Sequence, residues 1–194
     1  MAILKKTIFS ILILVGIVIF KDIGKHLVKW SFNDEKKPSK ISKKWIKAKV
    51  DGIEIETLGE LKTIRSVKPE AQLTNVRSLN SYLSNQNGVI TEVVYMDSNF
   101  DIYDIKAGLK AEAESMIKQM KGTDMSLSFA EMGSFKDRTR CEGSFKIEKI
   151  PVVFTGFCYW NSKGKAAVVL AFSDKNQESS NDLNRIVNSV KVDF

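Results

Sequence analysis

A run of fourteen uncharged residues, Thr7 to Phe20, constrains this chain more than any other stretch, because eleven of them are Ile, Leu, Val or Phe. At roughly −0.3 to −0.6 kcal/mol each on an insertion scale, these residues favour the bilayer by about 5 kcal/mol. Fourteen helical residues rise only about 21 Å, short of the roughly 30 Å hydrocarbon slab. Extended from Ala2 to Ile23, the helix reaches about 33 Å, provided Lys5, Lys6 and Lys21 stretch their stems towards the headgroups. The apolar core of a cleaved signal has a similar length. Retention is favoured because the following KDIGKHLVKW offers no pair of small residues for cleavage and no lipobox cysteine. Lys21, Lys25 and Lys29 recur at four-residue steps, while Ile23, Leu27 and Trp30 occupy another helical face. A helix leaving the membrane along its surface has this pattern, with Trp30 at headgroup depth. We therefore expect a single-pass anchor over residues 1–23, a basic juxtamembrane helix and stalk over 24–47, and a globular domain over 48–194. Lys5, Lys6, Lys21, Lys25, Lys29 and Trp30 form the membrane interface of this reading.

The net charge of +7 belongs to the front end. Residues 21–49 carry ten lysines against Asp22, Asp34 and Glu35, whereas residues 50–194 carry 18 Lys or Arg against 20 Asp or Glu. A near-neutral domain behind a basic stalk does not describe a nucleic-acid binder. The Lys-rich, Pro-broken segment 33–49 contains no Arg and follows an apolar run, so anionic lipid is its expected partner.

The two flanks of the apolar run give opposite orientations. A short amino tail with Lys5 and Lys6 resembles a signal-anchor, which leaves the domain outside the cytoplasm; the lysines after the run would hold it inside. Cys141 and Cys158, in RCEGSFKIEKIPVVFTGFCYW, bear on the choice. A hairpin that sets Ile147 against Val152, Phe145 against Phe154 and Gly143 against Gly156 also sets Cys141 against Cys158, with EKIP as the connection. Facing cysteines about 4.5 Å apart at Cα approach disulfide geometry, and such a bond persists in an oxidising compartment. Two free thiols packed as small apolar side chains remain the alternative. The disulfide reading places the domain on the extracytoplasmic, periplasmic side of the cell membrane.

Residues 48–194 alternate between strand and helix patterns. Strands are expected at KVDGIEIET, at GVITEVVYMD, at the alternation of Met125, Leu127 and Phe129, in the cysteine hairpin, and at KAAVVLAF after the turn NSKG. Three one-faced helices are expected. The first carries Leu79, Tyr82 and Leu83 and ends at Gly88. The second, over 102–121, carries Ile105, Leu109, Ala113, Met116, Ile117 and Met120, starts at Asp101 or Asp104 and stops at Lys121-Gly122. The third carries Leu183, Ile186, Val187 and Val190 behind Ser179 or Ser180. Short loops between consecutive strands demand an antiparallel sheet, and three helices layered on it make an α+β domain.

The phrases LKAEAESMIKQMKG, FTGFCYWNSKGKAAVVLAFS and LNRIVNSVKV, in that order, resemble the MOG1/PsbP-like group, which includes PsbP-like and DcrB-like bacterial envelope proteins. The resemblance implies an α/β/α sandwich fold and the general class of these proteins. It carries no functional residue.

His26 is the only histidine and lies outside the domain, so residues 48–194 have no imidazole for nucleophilic catalysis or for a zinc site. DSNFDIYD lacks the central Gly and terminal Glu of a calcium loop. No two carboxylates pair by spacing, and the glycines form no phosphate cradle. Met116, Met120, Met125 and Met132 read as packing between helix and sheet, and Arg138 and Arg140 with Lys136 as a solvated basic edge. No catalytic residue, cofactor or metal site is expected. The function expected is that of a membrane-anchored domain binding a protein or envelope component. Alternatives are a secreted ligand-binding domain after signal cleavage, and a cytoplasm-facing tethered interaction domain.

Overall fold

The computed structural model describes residues 44–67, 76–99, 104–130, 137–174 and 177–194. The expected anchor and juxtamembrane helix lie outside them, as do Asp101 and Met132. Among the described residues no helix is long and apolar enough to cross a membrane.

Ten strands and two helices make up the described chain: β1 (Ile46–Val50), β2 (Ile53–Thr57), β3 (Lys62–Val67), β4 (Val76–Gln86), β5 (Val89–Ser98), α1 (Ile105–Gln119), β6 (Gly122–Ala130), β7 (Arg138–Ile147), β8 (Ile150–Trp160), β9 (Lys165–Asp174), α2 (Gln177–Asn188) and β10 (Lys191–Val192). Seven strands form one antiparallel sheet in the order β3-β4-β5-β9-β8-β7-β6, and β1-β2-β10 form a second. Helix α1 lies on one face of the large sheet, and α2 with the small sheet covers the other. An α+β domain with an antiparallel sheet is therefore present, with two described helices rather than three.

The missing helix is β4. Leu79, Tyr82 and Leu83 fit a helical stripe, yet the segment pairs with β5 from Val76 to Gln86. Asn87 (φ 54°) and Gly88 (φ 72°) close a two-residue hairpin, for which Asn-Gly is suited because both positions need a positive φ. Gly88 thus turns a hairpin instead of ending a helix. Asp51 and Gly52 do the same between β1 and β2, splitting the expected single strand. The Asp51 carboxylate then accepts from Tyr82 Oη at 2.6 Å and Asn80 Nδ2 at 2.8 Å, tying the small sheet to the large one. The unassigned stretch after residue 58 contains β3, an edge strand.

Helix α1 buries the expected stripe. Leu109, Ala113, Met116, Ile117 and Met120 are buried, with Ile105 partly so. Asp104 Oδ1 accepts from the Ala107 amide at 2.9 Å and caps the start. The left-handed residue at the far end is Lys121 (φ 55°), not Gly122. Gly122 serves space instead: a Cβ there would lie 2.5 Å from the Phe145 ring and 2.6 Å from Ile117 Cγ2. Met125, Leu127 and Phe129 point inwards from β6 in alternation, and Leu183, Ile186 and Val187 bury the inner face of α2. That helix begins at Gln177, so Ser179 and Ser180 stand inside it rather than before it. Gly164 takes the positive φ (83°) expected in the NSKG turn.

The cysteine hairpin is displaced from its expected register. Ile147 faces Ile150 across a two-residue turn, Phe145 faces Val152, Gly143 faces Phe154 and Cys141 faces Gly156. Cys158 faces Thr139, and both cysteines are free and buried, so the expected disulfide is absent. A shift of two residues keeps every side chain on its own face. Packing decides between the registers. In the expected one two glycines oppose each other and leave a hole; in the observed one each glycine opposes a bulky group. A Cβ on Gly143 would meet the Phe154 ring at 2.4 Å, and one on Gly156 would meet Cys141 Sγ at 2.8 Å. Phe154 thereby reaches Phe145 and Phe172, with ring centroids 6.1 and 5.7 Å away. We expect Gly143→Ala to destabilise the domain by about 1–3 kcal/mol through overpacking, read as a lower urea midpoint at unchanged m-value.

Candidate functional site

Two places in the domain carry chemistry that packing alone does not use. One is Glu92, buried beneath the sheet face that α1 covers, with the carboxyl of Glu112 acting on it from that helix. The other is an open groove on the opposite layer.

β5 is buried on both faces, and its Val89, Thr91, Val93 and Tyr95 point towards α2 while Ile90, Glu92, Val94 and Met96 point towards α1. Glu92 pairs with Leu83 on β4 and Leu170 on β9, so its neighbours in the sheet row are aliphatic. It is 1% exposed, and neither carboxyl oxygen has a hydrogen-bond partner. From α1, half-buried Glu112 approaches close enough to interact with it electrostatically. Burial away from water penalises a carboxylate, and a second carboxylate nearby adds repulsion. Desolvation first, and then Glu112, pushes the Glu92 carboxyl well above the ordinary range, while desolvation alone raises Glu112 to about 7. No hydrogen bond joins the two groups. Ser81, also buried and on the same sheet face in the row of Val94, has an unpartnered Oγ.

The sequence placed both glutamates in the right elements without bringing them together. Glu92 was legible as a lone carboxylate between apolar residues of a central strand. Glu112 sits three residues after Leu109 and four before Met116, on the flank of the buried stripe. The two glutamates lie on different elements, so no spacing along either one relates them.

Cys141 and Cys158 pack in the same apolar cluster, and burial raises both thiols to about 12, with Cys141 and Glu112 adding to the rise at Cys158. Thiols held so firmly protonated are inert nucleophiles. Arg140 Nη1 donates to Asn188 Oδ1 at 2.6 Å, and Arg138 lies against the Tyr159 ring. Among the described residues no group of three or more His, Cys, Asp or Glu side chains is placed to hold a metal ion. The expected interface residues Lys5, Lys6, Lys21, Lys25, Lys29 and Trp30 lie outside the described residues.

The open groove, of about 740 Å³, runs between the small sheet and the end of α2, lined by Lys47, Lys49, Glu54, Glu56, Arg185 and Lys191 among others. Lys49 Nζ meets Glu54 at 2.9 Å, and Arg185 Nε meets Glu56 at 2.9 Å while stacking 4.0 Å over Trp45. The Lys49 contact, above all its hydrogen bond, holds the Glu54 carboxyl below its ordinary range. Exposed pairs of this kind contribute little to stability. Lys47 and Lys191 add positive charge on either side of Glu54, so the groove is cationic on balance.

No family model matches the sequence, and no curated protein matches it either. Among solved structures, the chain is similar to the Ran-binding protein Mog1p of Saccharomyces cerevisiae, with 12% identity over 78% of this chain and 96% of that one, at a TM-score of 0.47. It is also similar to LpqN, involved in cell envelope biogenesis of Mycobacterium tuberculosis, with 14% identity over 77% of this chain and 83% of that one, at a TM-score of 0.36. Both are likenesses of fold, in line with the resemblance read from the sequence. Neither transfers a partner or a residue role.

The carboxylate pair has a consequence for stability. Both groups titrate higher in the folded chain than in the unfolded one, so their favourable contribution is complete below about pH 4.5 and is lost as pH rises through about 7, where Glu112 ionises. Urea midpoints are expected to fall from about pH 5 to about pH 8, and Glu92→Gln is expected to flatten that fall. A wild-type midpoint that stays level over this range contradicts the assignment.

Proposed function

We propose that the chain is a non-catalytic, single-pass, membrane-tethered domain on the extracytoplasmic side, which uses its cationic groove to bind an acidic protein or envelope component. The observation carrying this reading is adjacency. The Lys-rich stalk leads into β1, whose Lys47 and Lys49 form one wall of the groove, so a tether in residues 1–23 would hold the groove close to the membrane. Electrostatic attraction between a basic surface and acidic partners speeds encounter and weakens with salt. The carboxylate pair does not support hydrolysis in its place, because Glu92 is 1% exposed and a general base must reach its substrate.

Full-length protein is expected in the membrane fraction, resistant to high salt and released by detergent, whereas deletion of residues 2–23 frees it. Recovery of the intact chain without detergent, or a mature terminus beyond Phe20, removes the tether. Sidedness can be read from Lys163→Cys, in the exposed turn between β8 and β9. The native cysteines are buried and firmly protonated, so an impermeant maleimide would report only the new thiol. Labelling in intact cells is expected; labelling only after lysis moves the domain to the cytoplasm. For the groove, a photo-crosslinker at Lys47 should give a discrete adduct that one at Lys118, exposed on α1, does not give. Equal adducts from both would remove the groove as the binding face.

A further inference from the structure

Resting on the groove reading above, we propose that the partner binds as an extended strand added to the free edge of β1, with acidic residues two positions apart. The small sheet is ordered β1-β2-β10, so β2 is paired on both sides and β1 on one. Among the described residues no strand pairs with the other edge of β1. Backbone N–H and C=O groups of Ile46–Val50 are therefore open to a further strand, the mode by which many sheets take up extended peptides.

Burial shows that β1 is incompletely covered. Its inward residues Ile46, Ala48 and Val50 are half-buried, whereas Thr57, Ile55 and Ile53, which face them in that order on β2, are 0%, 2% and 0% exposed. An added strand extends the inner row by one more set of apolar side chains.

The outward face sets the charge. Lys47 faces Glu56 and Lys49 faces Glu54, so β2 already meets β1 with Ile-Glu-Ile-Glu-Thr against Ile-Lys-Ala-Lys-Val. Both carboxylates are taken. Lys49 Nζ holds Glu54 at 2.9 Å, and Arg185 Nε holds Glu56 at 2.9 Å. Lys191 faces Glu54 from the far side and adds to the excess. Four cations thus line the groove against two carboxylates, and among the described residues Lys47 has no ion-pair partner. Alternate residues of a strand lie about 6.6 Å apart, so carboxylates at i and i+2 of an added strand stand opposite Lys47 and Lys49 together. The recognition pattern is apolar, acidic, apolar, acidic, apolar. The same lysines disfavour a second copy of this chain on the edge, because a two-fold pairing centred on Ala48 sets lysine against lysine.

The test uses the full chain in zwitterionic detergent micelles and the synthetic peptide acetyl-SVEVEVS-amide, with amide hydrogen exchange followed by mass spectrometry. This peptide is expected to slow exchange across residues 46–50 saturably. The peptide acetyl-SVKVKVS-amide, with equal strand propensity and opposite charge, is not. Lys47→Glu should weaken the response to the acidic peptide about threefold to tenfold, as exchanging an attractive cross-strand pair for a repulsive one implies. Lys47→Glu combined with Lys49→Glu should transfer the response to the basic peptide. Should the double variant, which loses the Lys49 contact to Glu54, fail to fold, the single exposed change keeps the comparison. Equal protection by the two peptides overturns the proposal. So does equal protection by phosphatidylglycerol added to the micelles, which supplies negative charge without a strand. Protection that rises with protein concentration alone gives the edge to a second copy instead. A crosslinked adduct at Lys47 in cells, alongside no protection of residues 46–50 by the acidic peptide, keeps the groove as a binding face and overturns the strand pairing.

Discussion

Everything in this domain depends on the pairing of β5 with β9 at the centre of the seven-stranded sheet, because both strands are buried on both faces. A sheet with two apolar faces must be covered twice. The α1 stripe covers one side, over Cys141, Phe145, Phe154 and Leu170. The other side needs more than one helix, since α2 alone does not span Val93, Tyr95, Phe157 and Val169. The small sheet and the C-terminal residues complete the cover, and Phe194 packs edge-on against both Tyr95 and Tyr159 at 5.4 and 5.8 Å. The second sheet is thus a consequence of the first.

The same constraint explains which parts of the fold were legible. Where a segment buries one face only, its period survives in the sequence: α1, β6 and α2 were found from their stripes, and Gly164 from its turn chemistry. Where large and small, polar and apolar residues mix on both faces of a half-buried strand, the period is erased. β4 alternates Leu79, Ser81 and Leu83 on one face with Asn80 and Tyr82 on the other, and its three large apolar residues coincide with a helical spacing. Asn87-Gly88 outweighs that coincidence, because a hairpin turn fixes the chain's direction whereas three residues of stripe do not. The disulfide failed for a related reason. Alternation determines the face a residue occupies but leaves registers two residues apart equivalent, and only the fit of Phe154 over Gly143 separates them.

The candidate site was less legible than the fold, and charge spacing shows why. Glu112 and Glu114 lie two residues apart on α1 and do not face each other, so spacing along that element offers no carboxylate partner. Glu92, which Glu112 influences electrostatically, is 20 residues away on β5. No local signal encodes that meeting. What the sequence did hold was the anomaly on one side of it, a glutamate in the middle of VITEVVY. A charged residue inside a strand that buries both faces requires an explanation, even when its partner cannot be named.

The groove and the carboxylate pair occupy opposite faces of the large sheet, the groove with α2 and the pair with α1. Their electrostatics are opposite as well, a cationic surface on one side and a carboxylate-lined interior on the other. What connects them is the central strand itself. Glu92 and Val93 are successive residues of β5 pointing to opposite faces, and Val93 packs in the cluster that contains Leu183 and Ile186 of α2. Any adjustment of β5 is felt by α2, which carries Arg185, because close-packed neighbours leave little slack. The sheet separates the two places chemically while joining them mechanically.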